Sequence, residues 1–539
     1  MIKPKFISGP PGTGKTSGFL TNKYLELLDK YTHDRIIILS HTNVAADEIR
    51  DEILKLEKVK EKGLTKKSFK YKICTIHSYC KSKNLNKELF DYKDHINLCK
   101  NQEVGSLFKL QTMKESEFDQ HNFYKYLSDA FGQGKNVEEF WKTCDRNSYK
   151  PYTLNVIQEM EKAYIDYKKD VVTLCCDYND MIADFIKEET REPDIDALIV
   201  DEAQDSNVKQ LEALQKLATN AKEYYMVGDA DQTIFEFAGA NADYFHTLSK
   251  NAEQLDQGYR CGKTINALCK QIIKPVWDYY GYDRIWKPAN YRKGHVHEGQ
   301  PIIGEHYYLP SLRHNSSSMQ VLLDKIRDSE ETFLFTYRGK PSDAWVKNFF
   351  KHHGIEFAHV GNTAHVPKKE LRCHKLWPDF VRGVPMSLKQ IKDFWDYMGS
   401  KVIPRGKGKY DFEGWIKKDY SIYDLIKLNL LKETAVNEKD FRLIRVQSGK
   451  KEDYEKRLIY IEKILRKGFD LEGDTRVKYA NIHTVKGLTF DNVIVDLTLT
   501  RKEDYFTQLR LKYVAYSRGR YDCWTISTQD KYRRRLGER

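Results

Sequence analysis

The segment SGPPGTGKTS, residues 8–17, restricts the possible folds more than any other part of the chain. Residues 5–8 (KFIS) read as a short buried strand, and SGFLTNKYLELLDKY after the loop has helical spacing. Between them Gly9, Pro10, Pro11, Gly12, Thr13, Gly14, Lys15 and Thr16 spell GxxxxGK[ST]. In a strand–turn–helix of this kind, backbone N–H groups turn toward phosphate oxygens and the helix N-terminus adds positive potential. Lys15 has the reach for the β- and γ-phosphates, and the Thr16 hydroxyl suits Mg2+. The loop predicts nucleotide binding. It does not say what work the nucleotide drives.

A second segment adds chemistry. Residues 194–205 read DIDALIVDEAQD, with the apolar run ALIV apt for a buried parallel strand. Two carboxylates follow at its C-terminal end, where open α/β sheets place their ligands. Asp201 is suited to hold Mg2+, directly or through water, and Glu202 to polarise an attacking water as general base. Loop and carboxylates together predict nucleoside triphosphate hydrolysis.

Composition excludes some classes. The 539 residues are 40% hydrophobic and 13% aromatic, ample for packed cores, and length alone suits several domains. No apolar run approaches the ~20 residues of a membrane span, and MIKPKFISGPPG lacks the apolar centre of a signal peptide. A cytoplasmic location and no membrane partner are expected. Ten scattered cysteines show no CxxC pair of zinc spacing, so reduced thiols are expected rather than a metal or iron–sulfur site. The net charge of +12 favours an anionic partner only weakly. The terminal KYRRRLGER reads equally as a phosphate-contacting tail or a solvated end.

Further segments narrow the choice: RIIILS followed by HTNVAADEIRDEI, KICTIHSYC, YYMVGDADQTIFEFAGA, LDQGYRCGKTI, YANIHTVKGLTFDNVIV and LKYVAYSRGR. KICTIHSYC reads as a strand running to residues 75–78. With the two segments above, this ordered set resembles the superfamily 1A DNA helicases of the UvrD/Rep/PcrA type, with matches from residue 6 to residue 524.

The resemblance implies roles residue by residue. Gln232 senses the γ-phosphate, and Tyr259 stacks on adenine. Arg260 reaches the γ-phosphate, and Arg518 is a second finger from the other motor domain. Guanidinium forks fit phosphoryl oxygens, although a surface ion pair is the other reading of any single arginine. Thr42, Asn43, His77, His483 and Thr484 fall in segments that contact DNA. Phe235 and Phe237 fall where the family stacks bases, a contact worth ~1–3 kcal/mol per base. On spacing alone the two rings read as the core face of a strand. Arg338 fits a family arginine and carries no assigned role.

There are departures. None of the eight residues before Gly9 is Gln, so the family's adenine-reading glutamine segment is missing and base selectivity rests on Tyr259. Thr489 replaces a carboxylate near the ribose, and Phe237 replaces a common Trp.

The expected fold is α/β: two RecA-like phosphate-loop motor domains, each with a largely helical insertion. Residues 1–85 and 193–257 form the first motor, interrupted by a helical insertion at 86–192. Residues 258–365 and 475–539 form the second, interrupted at 366–474, where the loop RGKGKYDFEGW reads as exposed or as a duplex contact. No fused nuclease domain is expected. The implied function is an ATP- and Mg2+-dependent helicase moving 3′-to-5′ on single-stranded DNA and acting at single/double-strand junctions, in a bacterial or phage-infected cell. Protein partners in replication or repair are compatible with it. The alternative is a translocase or motor subunit that displaces proteins or RNA without unwinding alone. A nucleotide-gated DNA-binding module fits the intact set of hydrolytic residues poorly, and a small-molecule kinase has no use for the segments around His77 and His483.

Overall fold

The computed structural model describes residues 2–82, 87–111, 115, 118, 121–170, 175–187, 195–289, 303–309, 316–362, 364–398, 402–407, 410–412, 415, 419–437, 451–469, 471, 473–497 and 504–527. The KYRRRLGER tail and parts of the RGKGKYDFEGW loop lie outside them. The chain divides into two units, Met1–Ile302 with Asp504–Val514, and Ile303–Glu503 with Ala515–Arg539.

In the first unit the strands are β1 (Lys5–Ser8), β2 (Ile36–Ser40), β3 (Ile73–Thr75), β4 (Glu88–Leu89), β5 (Cys175–Cys176), β6 (Ala197–Val200), β7 (Glu223–Gly228) and β8 (Glu253–Gln254). Six of them form a parallel sheet in the order β3-β2-β6-β7-β1-β8. Successive side chains on a strand point to opposite faces, and here both faces are apolar. Ile37, Leu39, Leu198, Val200, Tyr224 and Met226 pack into one cluster. Ile36, Ile38, Ala197, Ile199, Tyr225 and Val227 pack into another. That is why the strands read as unbroken apolar runs rather than alternating ones.

Between β3 and β6 the chain forms helices at Tyr92–Cys99, Asn122–Gly132, Val137–Thr143, Leu154–Lys169 and Tyr178–Lys187. The first four surround an aromatic cluster of their own that includes Phe90, Phe108, Phe123, Tyr126, Phe140 and Tyr164, whereas Met181, Ile182 and Phe185 of the last pack into the core of the sheet. The short parallel pair β4–β5 joins the two ends of this region.

The unit boundary falls after residue 302 rather than at 258. Lys287 N donates to Asp256 O at 2.7 Å and Tyr259 N to Gly12 O at 2.7 Å. Trp277, on the helix Lys263–Tyr280, donates its indole N–H to Asp231 at 2.8 Å. These bonds tie residues 258–287 to the sheet that carries the phosphate loop.

The second unit holds β9 (His306–Leu309), β10 (Phe333–Tyr337), β11 (Ala358–His359), β12 (Met386–Ser387), β13 (Asp419–Tyr420), β14 (Val477–Asn481), β15 (Asn492–Asp496) and β16 (Cys523–Ile526). Six strands again make a parallel sheet, ordered β11-β14-β10-β15-β16-β9. Phe333, Phe335, Val477, Ile494 and Trp524 lead its core cluster.

Residues 373–436 close a separate core around Trp377, Phe380, Phe394 and Trp395. Phe412 is buried in it, and Tyr410 and Trp415 pack against it. The aromatic half of the RGKGKYDFEGW segment therefore faces inward, because three rings in that stretch have more to gain from the core than from water. Among the described residues no helix is long and apolar enough to cross a membrane. None of the ten cysteines forms a disulfide.

Candidate nucleotide and nucleic-acid site

The candidate residues of the first unit lie just beyond the C-terminal ends of its parallel strands, where an α/β sheet binds its ligands. β1 runs into Gly9 and the phosphate loop, and β6 into Asp201 and Glu202. β7 runs into Asp229 and Gln232, β2 into Thr42 and Asn43, and β3 into His77. β7 lies between β1 and β6, so the three central loops are neighbours.

Gly12 and Gly14 adopt φ of 74° and 75°, the left-handed region that glycine enters without steric cost. A Cβ on Gly12 would run into the Cβ of Arg260, so the loop and Arg260 pack backbone to side chain. A Cβ on Gly14 would lie 3.7 Å from the Tyr259 ring. Tyr259, 69% exposed, presents its ring beside the loop. Thr13 Oγ1 donates to Pro10 O at 2.8 Å, closing the turn. The following helix opens on a wide turn in which Gly14 O accepts from both Gly18 N and Phe19 N at 2.9 Å.

Lys15 is buried and donates to Gly9 O at 2.8 Å. Burial lowers its pKa, and the charges of Glu202, Asp229 and Asp201 oppose that shift only in part. Thr16 Oγ1 donates to Asp201 Oδ2 at 3.4 Å, which brings together the two groups predicted to share a cation. Oδ1 of Asp201 is buried and takes no hydrogen bond from the described residues. Burial, aided by the charge of Glu202, pushes the Asp201 carboxyl up to about 7. A buried carboxylate with an orphaned oxygen beside a hydroxyl is the donor set a hard divalent cation takes. The residues present thus fit Mg2+.

Glu202 holds φ 49°, ψ 37°, uncommon for a residue with a Cβ. Its Oε2 accepts from Gln204 Nε2 at 2.5 Å. Gln232, on a single turn after β7, is buried and donates through Nε2 to Asp229 Oδ2 at 2.9 Å. Asp229 is held by groups that sequence reasoning missed. Arg284, fully buried, donates to Asp229 Oδ1 at 2.5 Å and Asp231 Oδ2 at 2.7 Å, and Tyr513 Oη donates to Asp229 Oδ2 at 3.2 Å. Burial pushes both carboxyls up. Arg284 and Lys15 bring Asp229 back below the ordinary range, while Asp231 stays at about 6. A lone arginine in YDRIW carries no pattern that would have pointed to it.

Thr42 caps the helix Asn43–Lys55, its Oγ1 accepting from Ala45 N at 3.1 Å, and both Thr42 and Asn43 are exposed. The helix Ile76–Lys81 begins earlier than the sequence reading, which took the strand on to residue 78, because the Thr75 hydroxyl caps it. His77 thus lies in a helical first turn, half-buried, its ring 5.4 Å from that of Tyr178. Burial lowers its pKa. Phe235 and Phe237 do not alternate on a strand. They flank a 3-10 turn at Glu236–Ala238 with ring centroids 6.0 Å apart, and Phe237 is 47% exposed.

His483, Thr484 and Arg518 belong to the second unit. Arg338 donates to His483 Nδ1 at 2.9 Å, and Thr484 is exposed. Arg518 is 1% exposed and bonds Ser517 Oγ at 2.9 Å, while its carbonyl accepts from Phe490 N at 2.9 Å.

A parallel sheet with a glycine-rich phosphate loop after one strand and paired carboxylates after another defines an α/β protein of the phosphate-loop nucleotide-binding class. More narrowly, residues 2–253 match the UvrD/REP helicase N-terminal domain, so that this part of the chain is similar to the UvrD/Rep/PcrA-like helicases of superfamily 1. It is 27% identical over 303 residues to a probable DNA helicase II homologue of Mycoplasma genitalium, covering 50% of this chain and 40% of that protein. It is 24% identical over 402 residues to the ATP-dependent DNA helicase PcrA of Bacillus subtilis, covering 68% and 50%. Against the ATP-dependent DNA helicase Rep of Buchnera aphidicola it is 27% identical over 310 residues, covering 53% and 42%. The chain thus spans about half the length, or less, of these curated relatives.

Proposed function

We propose that this protein is an ATP-dependent DNA helicase that moves 3′-to-5′ on single-stranded DNA and separates the duplex ahead of it. The observation that carries the reading is the first unit's hydrolytic set. Lys15, the Thr16–Asp201 pair, Glu202 and Gln232 gather at adjoining strand ends, with Tyr259 and Arg260 packed on the phosphate loop. In this reading Lys15 and the loop N–H groups hold the phosphates, Tyr259 stacks on the base, and Glu202 takes the proton of the attacking water. Thr16 and Asp201 would hold Mg2+, which when bound neutralises charge on the β- and γ-phosphates. Arg260, and Arg518 from the second unit, stabilise the negative charge of the transition state. Gln232 reports the γ-phosphate to the aromatic segment Phe235–Phe237, three residues on. Thr42, Asn43, His77, His483 and Thr484 grip the strand. We assign the two parallel sheets to two RecA-like motors, with residues 86–192 and 366–474 as insertions.

ATPase and strand-displacement assays on partial duplexes bearing a 3′ or a 5′ tail test this, with Glu202→Gln as control. Lys15→Ala should abolish hydrolysis and leave single-strand affinity largely intact. DNA-stimulated hydrolysis at the wild-type rate in Lys15→Ala would remove the site assignment. Hydrolysis without strand separation would instead favour a translocase that displaces proteins or RNA.

A further inference from the structure

We infer that Gln204 is a positioning residue for hydrolysis, its carboxamide fastening Glu202 to the loop that carries Gln232. The inference rests on the reading of Glu202 as general base. Three hydrogen bonds run in series. Gln204 Nε2 donates to Glu202 Oε2 at 2.5 Å, Gln204 Oε1 accepts from Asp229 N at 3.0 Å, and Asp229 Oδ2 accepts from Gln232 Nε2 at 2.9 Å. Chemistry fixes the orientation of the amide. The Asp229 N–H can only donate, so the amide oxygen must face it, which leaves the NH2 for the carboxylate.

The backbone makes room for this link. A Cβ on Gly228 would run into Gln204 Oε1. Gln204 is fully buried and its bond from Asp229 N is shielded from water, while its bond to Glu202 is part-buried. Glu202 stands in a left-handed conformation, which persists in a residue with a Cβ only where surrounding contacts hold it. Anchoring one carboxylate oxygen fixes the plane in which the other is presented. A misplacement of about 1 Å at a reacting group costs about 10²-fold in rate. Only an amide of this length offers a donor to one neighbour and an acceptor to the other. Glutamate has the same shape but sets an acceptor against Glu202, and methionine keeps the bulk with no strong hydrogen bond.

Single-turnover ATP hydrolysis with single-stranded DNA present, alongside Mg-ADP affinity, is measured for the full chain, Gln204→Glu, Gln204→Met, Glu202→Gln and the double variants. The Gln204 variants should hydrolyse about 10²-fold more slowly while Mg-ADP affinity stays within about threefold. In the Glu202→Gln background the Gln204 effect should vanish, because both changes remove the same function. Near-wild-type rates in Gln204→Glu and Gln204→Met overturn the assignment. So do losses that multiply with Glu202→Gln, and so does a fall in Mg-ADP affinity parallel to the fall in rate. These results leave the helicase reading standing. A wild-type chain that hydrolyses no ATP with DNA present removes both.

Discussion

At the scale of single residues, the tightest constraint is the guanidinium of Arg284, buried between two carboxylates. A buried ion pair adds little over a well-packed apolar group, but removing one partner leaves an uncompensated charge and costs about 3–5 kcal/mol. Arg284→Met should therefore destabilise the first unit by roughly that amount, read as a lower urea midpoint at unchanged slope. It should also slow hydrolysis, because Asp229 is the acceptor for Gln232. An unchanged midpoint would mean that the Asp229–Asp231 pair does not depend on Arg284.

The same residues show what a sequence exposes. Lys15, Thr16, Asp201 and Glu202 stand in motifs whose spacing along the chain singles them out, and Thr16 and Asp201 do meet, from loops far apart in sequence. Arg284, Trp277 and Tyr513 were not legible. Their partners lie dozens to hundreds of residues away, and no local pattern distinguishes a buried arginine from a solvated one. Gln204 was in plain view within DEAQD, but its role depends on Gly228 and Asp229, which only the strand order β6–β7 brings alongside.

At the scale of elements, the helix Asn43–Lys55 separates a structural role for Thr42 from a DNA-binding one. The hydroxyl caps the helix, and Thr→Ala at such a cap costs about 1 kcal/mol. Aspartate caps equally well and suits the positive helix end, yet places a charge where a phosphate is proposed to lie. Thr42→Asp should keep wild-type stability within about 0.5 kcal/mol while weakening single-strand affinity in fluorescence anisotropy. Thr42→Ala should lose stability first. Equal affinity in wild type and Thr42→Asp would reduce Thr42 to a cap.

Elements were legible where an apolar run or a 3.6-residue period was long enough to stand out. β6 falls on the very run that suggested it, and the helix Leu154–Lys169 lies within the stretch that suggested it. The two-residue strands β4 and β5 have no such signal. The aromatic turn at Glu236–Ala238 mimics strand alternation in sequence. Its end is set instead by Gly239, φ 96°, where a Cβ would run into Gly132 O on another helix. That close approach is a tertiary fact.

At the scale of the whole molecule, two units with separate sheets and separate cores imply that stability is not one number. The first unit has a built-in acid response. His121 is buried, and burial, with the nearby His95, lowers its pKa to about 4. In the unfolded chain it returns to about 6.5. Below that value the unfolded state binds a proton that the folded state refuses. Stability is therefore complete above about pH 6.5 and falls by about 1.4 kcal/mol per pH unit down to about pH 4. Asp201 and Asp231 act in the opposite sense. Their raised values, about 7 and about 6, let the folded state take up protons before the unfolded chain does. The raw stability curve sums these opposing trends, so the histidine is isolated only by difference. His121→Gln keeps a polar side chain facing Tyr152 and removes the titration. Relative to wild type it should gain about 3 kcal/mol in the first unit between about pH 6.5 and pH 4. Pulse proteolysis in urea, following the fragment that carries the first unit, measures that difference. A gap that stays constant with pH would show that His121 is already charged in the folded state.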